Sequence, residues 1–154
     1  MASTEERLVE DMNRAQKERD KLRLGAIRWM RDTLQKHAKE AGKSSLDDTE
    51  AAEVLGKLAK KYKESIEQAR QAGRVELAEK EEAELRVLEE YLPKQLSNAE
   101  IEEMVRETIS EVGAKGPGDM GAVMKALKPR WAGRADGKTV SEIVKAKLNE
   151  PAES

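Results

Sequence analysis

The chain has 154 residues, a formal net charge of −2 at pH 7, 38% hydrophobic against 39% charged residues, and neither cysteine nor phenylalanine. So little apolar material, rich in Leu and Ala among many Glu, Lys and Arg, favours helices packed through narrow stripes over a thick sandwich or barrel, and an all-α fold is expected. Without cysteine there are no disulfides, thiolate nucleophiles, iron–sulfur clusters or Cys-based zinc sites, and no apolar run approaches the ~18 residues that cross a bilayer, so a cytoplasmic, monomeric protein with no membrane contact is expected.

Taken in order, Ser3 followed by Glu6 has capping-box spacing, and Leu8, Met12 and Ala15 then predict a first helix to about Arg19. A break near Asp20 precedes a second helix from Lys21, carrying Leu24, Ile27, Leu34 and Ala38 with Trp29 and Met30 alongside, and stopped by Gly42. Asp48 is the expected cap of a third helix with the stripe Ala51, Leu55, Leu58, Tyr62, Ile66 and Ala69, and Gly73 ends it. Val75 opens an acidic fourth helix in which Ala78, Leu85, Leu88 and Leu92 follow helical spacing and Glu81 is the one polar interruption. The short connection at Gly73 implies an antiparallel hairpin.

Leu92-Pro93 ends that helix, because proline disfavours helical geometry in the residue before it, and a domain boundary is placed there. Two domains follow from this reading: a helical N-terminal domain over 1–93 and a three-helix module over 97–150. Ser97 and Glu100 repeat the capping box before a fifth helix with Ile101, Met104, Val105, Thr108 and Val112 inward, closed by Gly113. Asp119 is the expected N-cap of a sixth helix burying Met120, Val123, Met124 and Leu127, with Gly121 allowing close helix approach and Pro129 or Gly133 as terminator. Asp136 caps a seventh helix with Val140, Ile143, Val144 and Leu148.

Charge is distributed unevenly along this plan. Residues 113–148 hold eight basic and three acidic side chains, a net of +5, whereas residues 1–112 hold 21 basic and 26 acidic, a net of −5. Such asymmetry points to a polyanionic partner. A second basic concentration, ten against four acids from Arg14 to Lys43, reads as a solvated helical face. His37 has no second histidine with which to chelate a metal, so neither metal nor cofactor is expected. Gly133 to Thr139, GRADGKT, resembles a phosphate-binding loop but encloses three residues where that loop needs four, follows no strand, and places Asp136 where phosphate would sit.

Three strings in order, EEYLPKQLS (Glu89 to Ser97), GDMGAVMKAL (Gly118 to Leu127) and GRADGKTV (Gly133 to Val140), resemble the GatB/YqeY family, as does LRLGAIRWM (Leu22 to Met30). Over almost its full length the chain is similar to stand-alone YqeY-like proteins, and its last three helices resemble the tail of an amidotransferase subunit. That enzyme converts misacylated glutamyl- or aspartyl-tRNA to the amidated form with glutamine as nitrogen donor, and its tail contacts tRNA, so the resemblance implies tRNA association. The matching positions are Gly121, Met124, Lys125, Gly133, Arg134, Asp136 and Lys138.

The basic cluster Lys125, Lys128, Arg130, Arg134 and Lys138 is the expected phosphate-contacting set, with Trp131 either stacking on a base or packed in the core. Nothing in the chain resembles the family's kinase and transamidation domain, so no catalytic residue is named and the expected role is non-catalytic. Two alternatives stay open: an accessory component of a carbon–nitrogen ligase with glutamine as amido-N-donor, active only with partner subunits, and a protein-binding scaffold using the leucine stripe of the fourth helix.

Overall fold

The computed structural model describes residues 2–150, which form seven α-helices and one 3₁₀ turn, with no strand among them. The chain divides into two compact units, Met1–Pro93 and Lys94–Ser154. Among the described residues no helix is long and apolar enough to cross a membrane.

The first unit contains α1 (Thr4–Lys17), α2 (Lys21–Glu40), α3 (Asp48–Gln71) and α4 (Val75–Glu89). Side-chain caps set three of the four starts, because the first N–H groups of a helix lack intrahelical acceptors. The Glu6 N–H donates to Ser3 Oγ, the Arg23 N–H to Asp20, and the Glu50 N–H to Asp47. The third cap corrects the sequence reading: Asp47, not Asp48, completes a reciprocal capping box with Glu50. Asp48 is instead the first helical residue, and its carboxylate accepts the Thr4 N–H at 2.8 Å, which ties the start of α1 to the start of α3.

α3 turns into α4 at Gly73, whose φ of 73° lies where an L side chain is strained; there the Arg74 N–H donates to the Ala69 carbonyl at 2.8 Å. The resulting hairpin packs through Leu55, Leu58, Tyr62 and Ile66 against Ala78, Leu85 and Leu88, while α2 adds Ile27, Met30 and Leu34. Each fully buried leucine contributes on the order of 1.5–3 kcal/mol. Leu88 is completely buried and Leu85 nearly so, which removes the fourth-helix stripe as a protein-docking seam: it is spent on the unit's own core. Trp29, by contrast, is half exposed.

The second unit holds α5 (Asn98–Val112), the 3₁₀ turn (Pro117–Asp119), α6 (Met120–Trp131) and α7 (Gly137–Leu148), each helix packing on the other two. Its core is Ile101, Met104 and Val105 from α5, Val123 and Leu127 from α6, and Val140, Val144 and Leu148 from α7. Ser97 and Glu100 form the expected reciprocal box.

Three local details are decided here. Asp119 stands at the N-cap of α6 as expected but makes no side-chain bond to it; its carboxylate folds back to accept the Lys115 N–H at 2.8 Å and closes the 3₁₀ turn. Of the two expected terminators it is Gly133, in the left-handed region just past the end, that stops α6, whereas Pro129 lies inside it, because a proline in the last turn forfeits one hydrogen bond without blocking the residues after it. Gly121 has nothing within 4 Å of where its Cβ would stand, so it brings no helix close.

Candidate nucleic-acid interface

The five basic residues singled out from the sequence lie along α6, in the turn after it and in the first turn of α7, and the structure gives them two kinds of surroundings. Lys125 and Lys128, three positions apart on α6 and therefore neighbours on its surface, are exposed, as is Lys138 in the first turn of α7. The arginines are engaged inside the unit. Arg130 donates from Nη2 to Glu107 at 2.7 Å and from Nη1 to the Thr108 hydroxyl at 3.1 Å, which crosses from α6 to α5. Thr108, almost fully buried, passes its own hydroxyl proton to the Met104 carbonyl at 2.9 Å, so its oxygen is satisfied in both senses.

Arg134 works as a latch. Its Nε donates to the Lys94 carbonyl at 3.2 Å and its Nη1 to the Arg130 carbonyl at 3.3 Å, while its own carbonyl accepts the Leu96 N–H at 2.8 Å. One residue earlier, the Gly133 carbonyl accepts from the Gln95 side chain at 2.9 Å, and Gly133 adopts φ of 74°, the left-handed geometry that turns the chain out of α6. The segment Lys94–Leu96 is thus held against the corner by backbone and side-chain bonds together. Two of the strings that carried the family resemblance, EEYLPKQLS and GRADGKTV, meet here and bond to each other.

The remaining motif positions have structural occupations as well. Asp136 caps α7, accepting the Lys138 N–H at 3.3 Å. Gly137 leaves room for Trp131: a Cβ there would stand 3.0 Å from the indole. Trp131, Met120 and Met124 are partly buried against the unit's core, and the indole N–H is shielded from solvent, which places the ring in packing rather than on an open stacking face.

Sequence reasoning named the basic residues but missed Glu107 and Thr108, which hold Arg130, the Lys94 carbonyl, which holds Arg134, and Gln95, which holds the neighbouring Gly133 carbonyl. No local signal marks these partners, which lie 22 to 40 positions away along the chain. The earlier basic concentration is likewise partly offset, with Arg23 on Glu90 at 2.7 Å and Arg14 on Asp11 at 3.2 Å. His37 is partly exposed, and no group of three or more potential ligands that could hold a metal occurs among the described residues.

Comparison with known proteins places this geometry in a lineage. The family model described as Yqey-like protein matches residues 5–148. A protein named altered inheritance of mitochondria protein 41, mitochondrial, from Pyrenophora tritici-repentis, is 32% identical over 148 residues, covering 92% of this chain and 81% of that protein. An uncharacterised protein of Schizosaccharomyces pombe is 42% identical over 62 residues, or 40% of this chain and half of its own length. A glutamyl-tRNA(Gln) amidotransferase subunit from Thermococcus sibiricus is 42% identical over 74 residues, which is 46% of this chain but only 12% of that protein.

The expectation of a cytoplasmic location is overturned by these relatives, since the one aligned along nearly all of this chain is a mitochondrial protein. Lack of cysteine and of an apolar span bears on disulfides and bilayers; it does not separate one aqueous compartment from another. With the family model spanning both units and the resembling strings bonded at the α6–α7 corner, the chain belongs to the YqeY-like family.

Proposed function

We propose that this protein associates with tRNA through its second unit, with the exposed Lys125, Lys128 and Lys138 contacting phosphates. The observation that supports the reading is the exposure of Lys125, Lys128 and Lys138 on α6 and α7, next to Arg130 and Arg134, which hydrogen-bond to groups of the same unit. The excess of eight bases over three acids across residues 113–148 supports it, because a phosphate backbone is recognised chiefly by neutralising charge. So does the 42% identity over 74 residues with a protein whose name specifies glutamyl-tRNA(Gln). That stretch also favours a second reading, in which the protein accompanies an amidotransferase acting on charged tRNA.

Fluorescence anisotropy of labelled tRNA with the full chain, over a range of salt, tests the first reading. Three phosphate contacts predict a slope of log affinity against log salt of about −2 to −3, at 0.7–0.9 per contact. Lys125→Ala, Lys128→Ala and Lys138→Ala should each flatten the slope by about one contact's worth without changing the helical signal. Unlabelled tRNA should compete better than duplex DNA of equal charge. Equal competition by DNA, or a slope indifferent to all three substitutions, would refute the assignment.

A further inference from the structure

In the first unit, α2 and α4 leave a groove of about 400 Å³ between them, lined by Leu22, Gly25 and Trp29 from one helix and Leu77, Glu81 and Glu84 from the other. Its apolar rim is open to water: Trp29 is 50% exposed, Leu77 39% and Leu22 37%. These three large apolar side chains gather around one cleft and no other leucine of the unit is exposed, which makes the cleft a candidate docking surface. Gly25 leaves open space above the α2 backbone, so an incoming chain can approach closely there.

The polar groups in the groove say what that chain must carry. Glu81 interrupts the stripe that buries Ala78, Leu85 and Leu88; Ser65 from α3 donates to its Oε1 at 2.9 Å, while its Oε2 is shielded from solvent and finds no partner within the protein. A carboxylate oxygen in that condition is costly unless a donor reaches it. Glu84, three residues on and so on the same face, accepts the Tyr62 hydroxyl at 2.9 Å. Burial, together with that bond to Glu84, holds the Tyr62 phenol well above its ordinary pKa and keeps it a donor. Tyr62 also meets Trp29 edge-on at 5.1 Å between centroids, which fixes the indole and leaves the rest of it accessible.

We propose that this groove docks an arginine-bearing, apolar segment of a partner protein, with the guanidinium lying over Trp29 and bonded to Glu84 and, once that side chain turns its Oε2 toward the guest, to Glu81. A planar guanidinium combines the two properties the site asks for, stacking on an aromatic face and donating to carboxylates through a fork, and an ammonium lacks the fork. Leu22 and Leu77 supply apolar flanks that a free arginine would not use. Charge on the wall formed by α4 favours a cation: the helix carries six acids against two bases between Val75 and Glu89, of which Glu81 and Glu84 line the groove. The same carboxylates repel nucleic acid. Lys80, 3.9 Å from Glu84 and largely exposed, is the native cation the guest displaces, and Lys21 stands at the rim.

Isothermal titration of the full chain with a 15-residue helical peptide carrying Leu and Arg four positions apart tests this, with a second peptide bearing uncharged, near-isosteric citrulline in place of Arg as control. The arginine peptide should bind with sub-millimolar affinity and the citrulline peptide at least tenfold more weakly. Glu81→Gln, which retains the acceptor for Ser65, and Trp29→Ala should each weaken arginine-peptide binding at least tenfold with unchanged circular dichroism. Equal binding of the two peptides, binding indifferent to both variants, or no binding at millimolar concentration would overturn the proposal. So would sedimentation showing a dimer that Trp29→Ala dissociates, because the groove would then belong to a second copy of this chain.

Discussion

Replacing Arg134 with alanine distinguishes a latch from a ligand contact. The substitution removes two charge-assisted hydrogen bonds, at 3.2 Å to the Lys94 carbonyl and 3.3 Å to the Arg130 carbonyl. Buried bonds of this kind contribute about 1.5–3 kcal/mol each. Arg134 is only partly buried, and water can re-solvate both carbonyls, so about 0.5–1 kcal/mol apiece is appropriate, or roughly 1–2 kcal/mol together. For a unit of about 60 residues each kcal/mol moves the melting temperature by about 4–8 °C, so a fall of roughly 5–15 °C is expected. Trp131 lies in the second unit's core, so its fluorescence in a Trp29→Phe background follows that unit's melting. Arg134→Lys sharpens the test: it keeps the charge but loses the planar fork, and should destabilise almost as much as alanine while leaving the salt dependence of tRNA binding intact. If Arg134→Ala instead leaves the melt unchanged and flattens the salt slope by a full contact, the guanidinium serves a phosphate and the latch is wrong.

Two further outcomes follow from the same geometry. Leu127→Ala, at a completely buried position, should cost about 2–5 kcal/mol. Stability of roughly 0.05–0.15 kcal/mol per residue leaves a unit this small little in reserve, so amide exchange protection should collapse across α5–α7 and persist in α1–α4; a uniform loss through both units would contradict their separate cores. At the start of α5, the Ser97 N–H and hydroxyl hold the Glu100 carboxyl below the usual carboxylate range. A depressed folded pKa means this contribution is fully present above the ordinary value near 4.3 and is lost as pH falls through the folded value. Glu100→Gln, which can still accept the Ser97 N–H, should therefore melt below wild type at pH 7 and converge with it as pH falls through the folded value. A gap that stays constant down to the acid limit of the fold would show that the carboxylate's charge is irrelevant there.

Helix class, the positions of the seven helices and most of the core stripes follow from the sequence alone, because 3.6-residue periodicity and short-range caps are local properties: Ser97 and Glu100 find each other across three residues wherever the helix lies, although Val112, on the expected inner face of α5, is exposed at the helix end. The caps also show where that locality ends. Asp47 and Asp48 are adjacent and chemically equivalent, and the bond that the Thr4 N–H makes to Asp48, 44 positions away, exists only in the folded chain, where Asp47 is left as the cap. Among the five cations the same limit applies more strongly. Their sequence neighbourhoods look alike, yet Arg130 and Arg134 are bound because the fold brings Glu107, Thr108 and Lys94 to them, whereas Lys125 and Lys138 lie on surfaces that the packing of α5–α7 leaves exposed. Glu81 is the converse case: the sequence marks it as out of place on an apolar stripe, and only the meeting of α2 with α4 turns that misfit into the wall of a groove beside Trp29. Charge and periodicity are written residue by residue, whereas pairing depends on distances between residues far apart in the chain, and those exist only once the helices have packed.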